Sequence, residues 1–146
     1  MQREFITFQV AGQLFGLDIM AIREIRAWSP VTRLPSVPDY VAGVVNLRGT
    51  VLPVYDLAAR LGWEKTEATP RNPIIVSDVA GQMRGLIVHS VNDIVSLPAD
   101  SLQQAQGAAD DNIVRFIEGL APLGDEMVMV LDLAALARDE PVELAA

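Results

Sequence analysis

The chain contains no cysteine and a single histidine. That scarcity excludes disulfides, thiolate metal sites, cysteine nucleophiles and a histidine-rich metal centre. Basic residues are few as well: 11 Lys and Arg stand against 19 Asp and Glu, a net charge of −8. A nucleic-acid binder needs a cationic footprint for phosphates, and an anionic lipid surface would repel this chain, so neither partner is expected. No apolar run approaches the ~18 residues of a membrane span, and Met1-Gln2-Arg3-Glu4 enters a strand pattern at once. Membrane insertion is therefore not expected, and the cytoplasm is the expected compartment. Aromatics make up only 5% of a chain that is 51% hydrophobic, so the core must rest on Val, Ile, Leu and Ala, and the Val and Ile share suits strands.

What is present is a repeat. Val10 to Ile19 (VAGQLFGLDI) lies over Val79 to Val88 (VAGQMRGLIV) at an offset of 69. The register continues with Ile22 over Val91, Glu24 over Asp93 and Ile25 over Ile94. A second match sets Val54 to Ala59 (VYDLAA) over Val130 to Ala135 (VLDLAA) at an offset of 76. Upstream in that register Gly43 meets Gly119 and Leu47 meets Leu123. Two matches in the same order read as a duplication whose second copy carries a loop insertion of about seven residues, placed in the small, polar stretch 103–112.

Residues 5–10 and 14–17 read as a hairpin turned by Ala11-Gly12, and 73–79 with 83–88 as its copy. Ile19 to Ile25 reads as a short helix or helical turn, with Asp18 as its N-cap. Val44 to Leu47 and Val51 to Tyr55 bracket Arg48-Gly49 as another hairpin, with Pro53 implying an edge strand or a bulge. Asp56 is expected to cap a helix at 57–61 and Asp132 the last helix. Strands are expected at 94–97 and 127–131. Many short strands with Gly and Pro turns make the class all-β with a few short helices.

Convergent catalytic groups are not visible. His89 sits in a strand (LIVHSV) and reads as structural. Asp56 and Asp132 could form a carboxylate pair only in the abstract, since their equivalent places before Leu-Ala-Ala suit caps. Gly81 to Gly85 is too poor in glycine for a nucleotide loop, and Asp110-Asp111-Asn112 lacks calcium-loop spacing. No cofactor, metal or catalysis is expected. The motif that remains is Asn46-Leu47-Arg48-Gly49 between apolar strands. An arginine at a hairpin tip can be plain solubilising charge, but between such apolar flanks it tends to be held by a carboxylate, and Glu24 is the candidate.

In Gly43-Val-Val-Asn-Leu-Arg-Gly49 followed by Val51-Leu-Pro-Val-Tyr-Asp-Leu57, the chain resembles the CheW family of chemotaxis coupling proteins. Phe15 to Ile19, Glu24 to Arg26, Pro35 to Pro38 with Tyr40, Gly119 to Gly124 and Val130 to Leu133 extend the resemblance from about Glu4 to Arg138. The resemblance implies a single CheW-like domain over 1–146, built of two SH3-like β-barrel subdomains related by the internal repeat. The halves are expected at 5–62 and 72–138, with 63–71 as link. It further implies a non-catalytic scaffold that binds the regulatory domain of a CheA-type histidine kinase and the cytoplasmic tip of methyl-accepting chemoreceptors. By the same likeness Arg48 and Glu24 are tied to coupling, with Asn46, Leu47 and Gly49 completing their motif. Ile22, Ile74 and Ile75 take receptor-facing places, and Gly43 a place of kinase contact. One departure is visible: the short proline run that family members often carry after the strand near Leu97 is replaced by Gln103 to Gly107. The rival readings are an adaptor for pilus-driven motility and a small-molecule-binding barrel.

Overall fold

The computed structural model describes residues 1–27, 31–66, 69, 71–79, 81–104 and 111–137. The strands are β1 (Gln2–Val10), β2 (Gln13–Asp18), β3 (Ile22–Arg26), β4 (Val41–Leu47), β5 (Thr50–Asp56), β6 (Ile74–Val79), β7 (Gln82–Ile87), β8 (Ser90–Pro98), β9 (Ile117–Leu123) and β10 (Glu126–Leu131). Short helices α1 (Leu57–Arg60), α2 (Asp111–Val114) and α3 (Leu133–Ala137) join them, with 3-10 turns at Ile19–Ala21 and Ala99–Ser101.

Two five-stranded sheets result, in the orders β8-β1-β2-β10-β9 and β3-β6-β7-β5-β4. Under the sequence repeat β1 corresponds to β6, β2 to β7, β3 to β8, β4 to β9 and β5 to β10. The second order is then the first with every strand replaced by its equivalent. The registers agree to the residue. Val54 pairs Gly85 in one sheet, and Val130 pairs Gly16 in the other. Isolated bridges join Thr32 to Val44 and Gln103 to Leu120. The Asp56 N–H donates to the Tyr40 carbonyl at 2.8 Å, and the Asp132 N–H to that of Phe116 at 2.9 Å. A duplicated sequence has given a duplicated fold.

The repeats do not each close their own barrel, and this corrects the expected division at 63–71. Barrel 1 takes β1 and β2 from the first repeat and β8 to β10 from the second; barrel 2 takes β3 to β5 from the first and β6 and β7 from the second. The exchange occurs where β2 passes into β3 and β7 into β8. Local sequence specifies each hairpin but not which partner its edge meets, so a contiguous split was the simpler expectation.

Three apolar clusters fill the molecule. Phe5, Leu14, Leu97, Ala121, Val128 and Val130 fill barrel 1, drawing on all five of its strands. Leu47, Leu52, Val54, Ile74, Val76 and Ile87 fill barrel 2. The largest cluster lies between the barrels and includes Phe8, Phe15, Tyr55, Leu61, Ile75, Leu86, Phe116 and Leu136. Alternation along the strands explains the pattern, because one face of each sheet lines its barrel and the other packs on the joint. The symmetry breaks within the joint. Where barrel 1 stacks Phe8 on Phe15 at 5.8 Å, the equivalents in barrel 2 are Ser77 and Arg84. Arg84 is 5% exposed and donates to the Tyr55 hydroxyl, the Val79 carbonyl and Gln82. Its burial pulls the guanidinium below its ordinary pKa.

Local expectations divide. Asp18 does cap, accepting from the Met20 N–H at 2.9 Å, but the helix ends after one turn and Ile22–Arg26 is a strand. Pairing with β6 overrides the helical spacing of that run. Pro53 lies in an interior strand rather than at an edge. It stands opposite Val44, whose backbone groups bond Thr32 instead, and pairing to β7 begins only at Val54, so no ladder bond needs the missing N–H. Strand β9 was not anticipated. The insertion placed at 103–112 falls mostly outside the described residues.

Candidate functional site

Leu47 pairs Thr50 across a two-residue turn whose central residues, Arg48 and Gly49, have φ of 52° and 85°. Both signs are those of a type I′ turn, whose twist matches a hairpin. The Asn46 carboxamide oxygen accepts the Gly49 N–H at 2.8 Å and fixes the turn. Glycine takes a left-handed conformation freely, whereas arginine does so at a cost of about 1–2 kcal/mol. The turn therefore holds a long cationic side chain at its tip against local preference.

Arg48 reaches Glu24 on β3 with both guanidinium nitrogens, Nη1 to Oε1 at 2.7 Å and Nη2 to Oε2 at 3.4 Å. This is the pair anticipated from the sequence. Strands β3 and β4 are the two edges of their sheet, so the pair links one edge strand to the turn that follows the other. Arg48 nonetheless remains 74% exposed against 26% for Glu24. The guanidinium is anchored on one side and open on the other, which suits it to a second carboxylate or carbonyl from outside. Beside it, Arg23 donates to Asp78 at 2.8 Å, and this hydrogen bond holds the Asp78 carboxyl below its usual range.

The other barrel carries no copy of this site. Asp93 and Gly124 occupy the places of Glu24 and Arg48. Barrel 1 is tied instead by Arg3, which donates to Glu118 on β9 and to Asp18, both at 3.0 Å. An exposed Arg–Glu turn is thus a property of one repeat only.

The remaining anticipated residues separate. Asn46 and Gly49 are exposed, and Ile22 is half-buried against the joint cluster. Leu47, Ile74 and Ile75 are 4%, 2% and 0% exposed, so a direct contact role for them is corrected to a core role. Gly43 has φ 149°, and a Cβ there would collide with the Thr32 carbonyl. It is a position of close backbone approach before it is anything else.

Exposed apolar side chains stood out less in the sequence. Ile25 and Ile94 are 39% and 65% exposed, Val51 and Met127 63% and 47%. Each pair is related by the repeat, so both barrels display the same apolar positions, and the two offsets would have linked them. An open groove of about 690 Å³ on barrel 2 is lined by Arg33, Val37, Asp39, Asp56 and Lys65 among others.

Asp56 was expected to cap α1 and does not. Its carboxylate accepts from the Thr66 N–H at 2.7 Å and the Thr66 hydroxyl at 2.8 Å, tying down the segment that leaves α1. Asp132 does cap, taking the Ala135 N–H at 3.2 Å. We expect Asp56→Ala to cost about 2–3 kcal/mol, because two donors lose a buried charged acceptor, and Asp132→Ala about 1 kcal/mol. Chemical denaturation of both variants checks the order; equal costs would return Asp56 to a simple cap. Among the described residues no three His, Cys, Asp or Glu side chains gather as a metal ion would need, and no helix is long and apolar enough to cross a membrane.

Two SH3-like barrels with filled interiors, sharing one joint and displaying an exposed cation on a constrained turn, define a binding module. The chain belongs to the CheW-like domain family, whose model matches residues 4–140. It is 41% identical to chemotaxis protein CheW of Rhizobium meliloti, and 39% identical to the probable chemotaxis protein CheW of Rhizobium etli. Each match covers 98% of this chain and 92% of the relative. Protein PilI of Pseudomonas aeruginosa is 29% identical, over 79% of this chain and 65% of that protein. The crystal structure of the scaffolding protein TtCheW from Thermoanaerobacter tengcongensis superposes with a TM-score of 0.86 at 30% identity, covering 97% of this chain and 94% of that one.

Proposed function

We propose that this chain is a non-catalytic coupling scaffold of bacterial chemotaxis, joining chemoreceptors to a CheA-type histidine kinase in the cytoplasm beneath receptor arrays. The observation that carries the reading is the half-anchored Arg48 guanidinium on barrel 2, in a fold similar throughout to that of the scaffolding protein TtCheW. Arg48 and Glu24, with Asn46 and Gly49 shaping the turn, are the polar centre of recognition. Ile22 and the exposed Ile25 and Ile94 supply apolar contacts suited to a receptor's helical hairpin. The kinase regulatory domain takes the face near Gly43. The whole domain acts as one unit, since a shared joint makes the barrels interdependent.

Titration of the purified chain with a kinase regulatory domain, and separately with a receptor-tip fragment, tests this reading. Saturable binding to both is expected; binding to neither would refute it. The 29% identity to PilI favours a second reading, an adaptor for pilus-driven motility. Deletion separates the two: loss of swimming chemotaxis with intact surface twitching supports the first, and the reverse supports the second.

A further inference from the structure

Arg60, at the end of α1, lies within the joint with 7% of its surface exposed. Its guanidinium stands 4.5 Å from the Tyr40 ring centroid and 4.6 Å from that of Phe116. These two rings are repeat equivalents, one leading into β4 of barrel 2 and the other into β9 of barrel 1. The same guanidinium donates from Nε at 3.1 Å and from Nη2 at 2.8 Å to the Leu136 carbonyl in α3. Leu136 is the residue that the repeat places over Arg60 itself. One side chain therefore touches both members of one equivalent pair and is bonded to its own equivalent. Only a group close to the internal two-fold can do this.

A planar guanidinium suits that place. It reaches two rings while its Nε and Nη2 fork onto one carbonyl, so three elements from both barrels are held by a single rigid group. Leucine at the equivalent position avoids a second cation on the axis, where the two charges would repel. Tyr40 continues the contact into barrel 2, edge-to-face with Tyr55 at 5.4 Å, and the Tyr55 hydroxyl accepts from Arg84.

We propose that Arg60 is a positioning residue that fixes the angle between the two barrels, and so the spacing of the faces they present. The consequence for partners rests on the coupling reading above; the mechanical role does not. The absence of native cysteine makes the test direct. Spin labels on Ser96→Cys in barrel 1 and Thr50→Cys in barrel 2, both exposed sites, report the inter-barrel distance. Labels on Ser96→Cys and Glu126→Cys report within barrel 1. Arg60→Met should shift or broaden the inter-barrel distribution by about 2 Å or more and leave the distribution within barrel 1 unchanged. Arg60→Lys keeps the charge but not the fork and should fall between. An inter-barrel distribution of wild-type width in folded Arg60→Met overturns the proposal. Should Arg60→Met fail to fold, a wild-type distribution in Arg60→Lys overturns it equally. Distances that respond as stated in a chain that binds neither kinase domain nor receptor tip would uphold the joint and sink the coupling reading.

Discussion

Arg48→Ala is expected to melt within about 4 °C of the wild type while losing about thirtyfold or more in affinity for its partners. The small thermal effect follows from exposure. An ion pair with one member 74% exposed is screened, and such pairs contribute about 0–1 kcal/mol. The left-handed backbone at φ 52° strains alanine as it does arginine, whereas asparagine tolerates it. Arg48→Asn should therefore melt at or above the wild-type temperature and bind no better than Arg48→Ala. The large binding effect follows from chemistry: arginine anchors at interfaces commonly contribute 2 kcal/mol or more. Thermal unfolding and calorimetric binding of the same preparations decide it. A loss of 3–5 kcal/mol of stability would make Arg48 a structural pin, as for a buried pair. Wild-type stability with wild-type binding would leave the motif as turn chemistry alone. The exchange Glu24→Arg with Arg48→Glu should recover part of what either reversal loses.

The second large effect is expected at Gly43. A Cβ there meets the Thr32 carbonyl at φ 149°, a combination that neither rotation nor a flexible neighbour can relieve. Thr32 is held in turn by two backbone bonds of 2.9 Å to Val44. Gly43→Ala should therefore cost about 2–4 kcal/mol and loosen the Thr32–Val44 bridge. Its repeat equivalent gives an internal comparison. At Gly119 a Cβ would lie 2.8 Å from the Gln103 carbonyl without a left-handed φ, so Gly119→Ala should cost less. Denaturant unfolding of both variants checks the order. A fully stable Gly43→Ala that binds no kinase domain would instead show that Gly43 serves as contact surface.

How far the sequence carried is clearest residue by residue. Val130 lies over Val54 and Gly85 over Gly16 at the two offsets read from the sequence, and the structure makes their two pairings copies of each other. The Arg48–Glu24 contact was legible because a cation flanked by apolar strands needs a carboxylate within reach. The exchange of strands between repeats was not legible. Strand β3 pairs β6 rather than β1, a choice made by the shared joint and not by either strand's own pattern. Ile74 and Ile75 take receptor-facing places only through the family likeness, and their burial puts them in the core. Arg60 gave no signal at all: its partners Tyr40, Phe116 and Leu136 are remote in sequence and meet only across the pseudo-two-fold.

The central claim is that one chain holds two different partners at once, and co-sedimentation tests it most directly. Receptor-tip fragments displayed on vesicles are mixed with a kinase regulatory domain, with and without this chain. The kinase domain should pellet only when the chain is present, and Arg48→Ala should reduce the pelleted fraction without unfolding the protein. A kinase domain that stays in solution at saturating chain, or pellets equally well without it, would contradict the account.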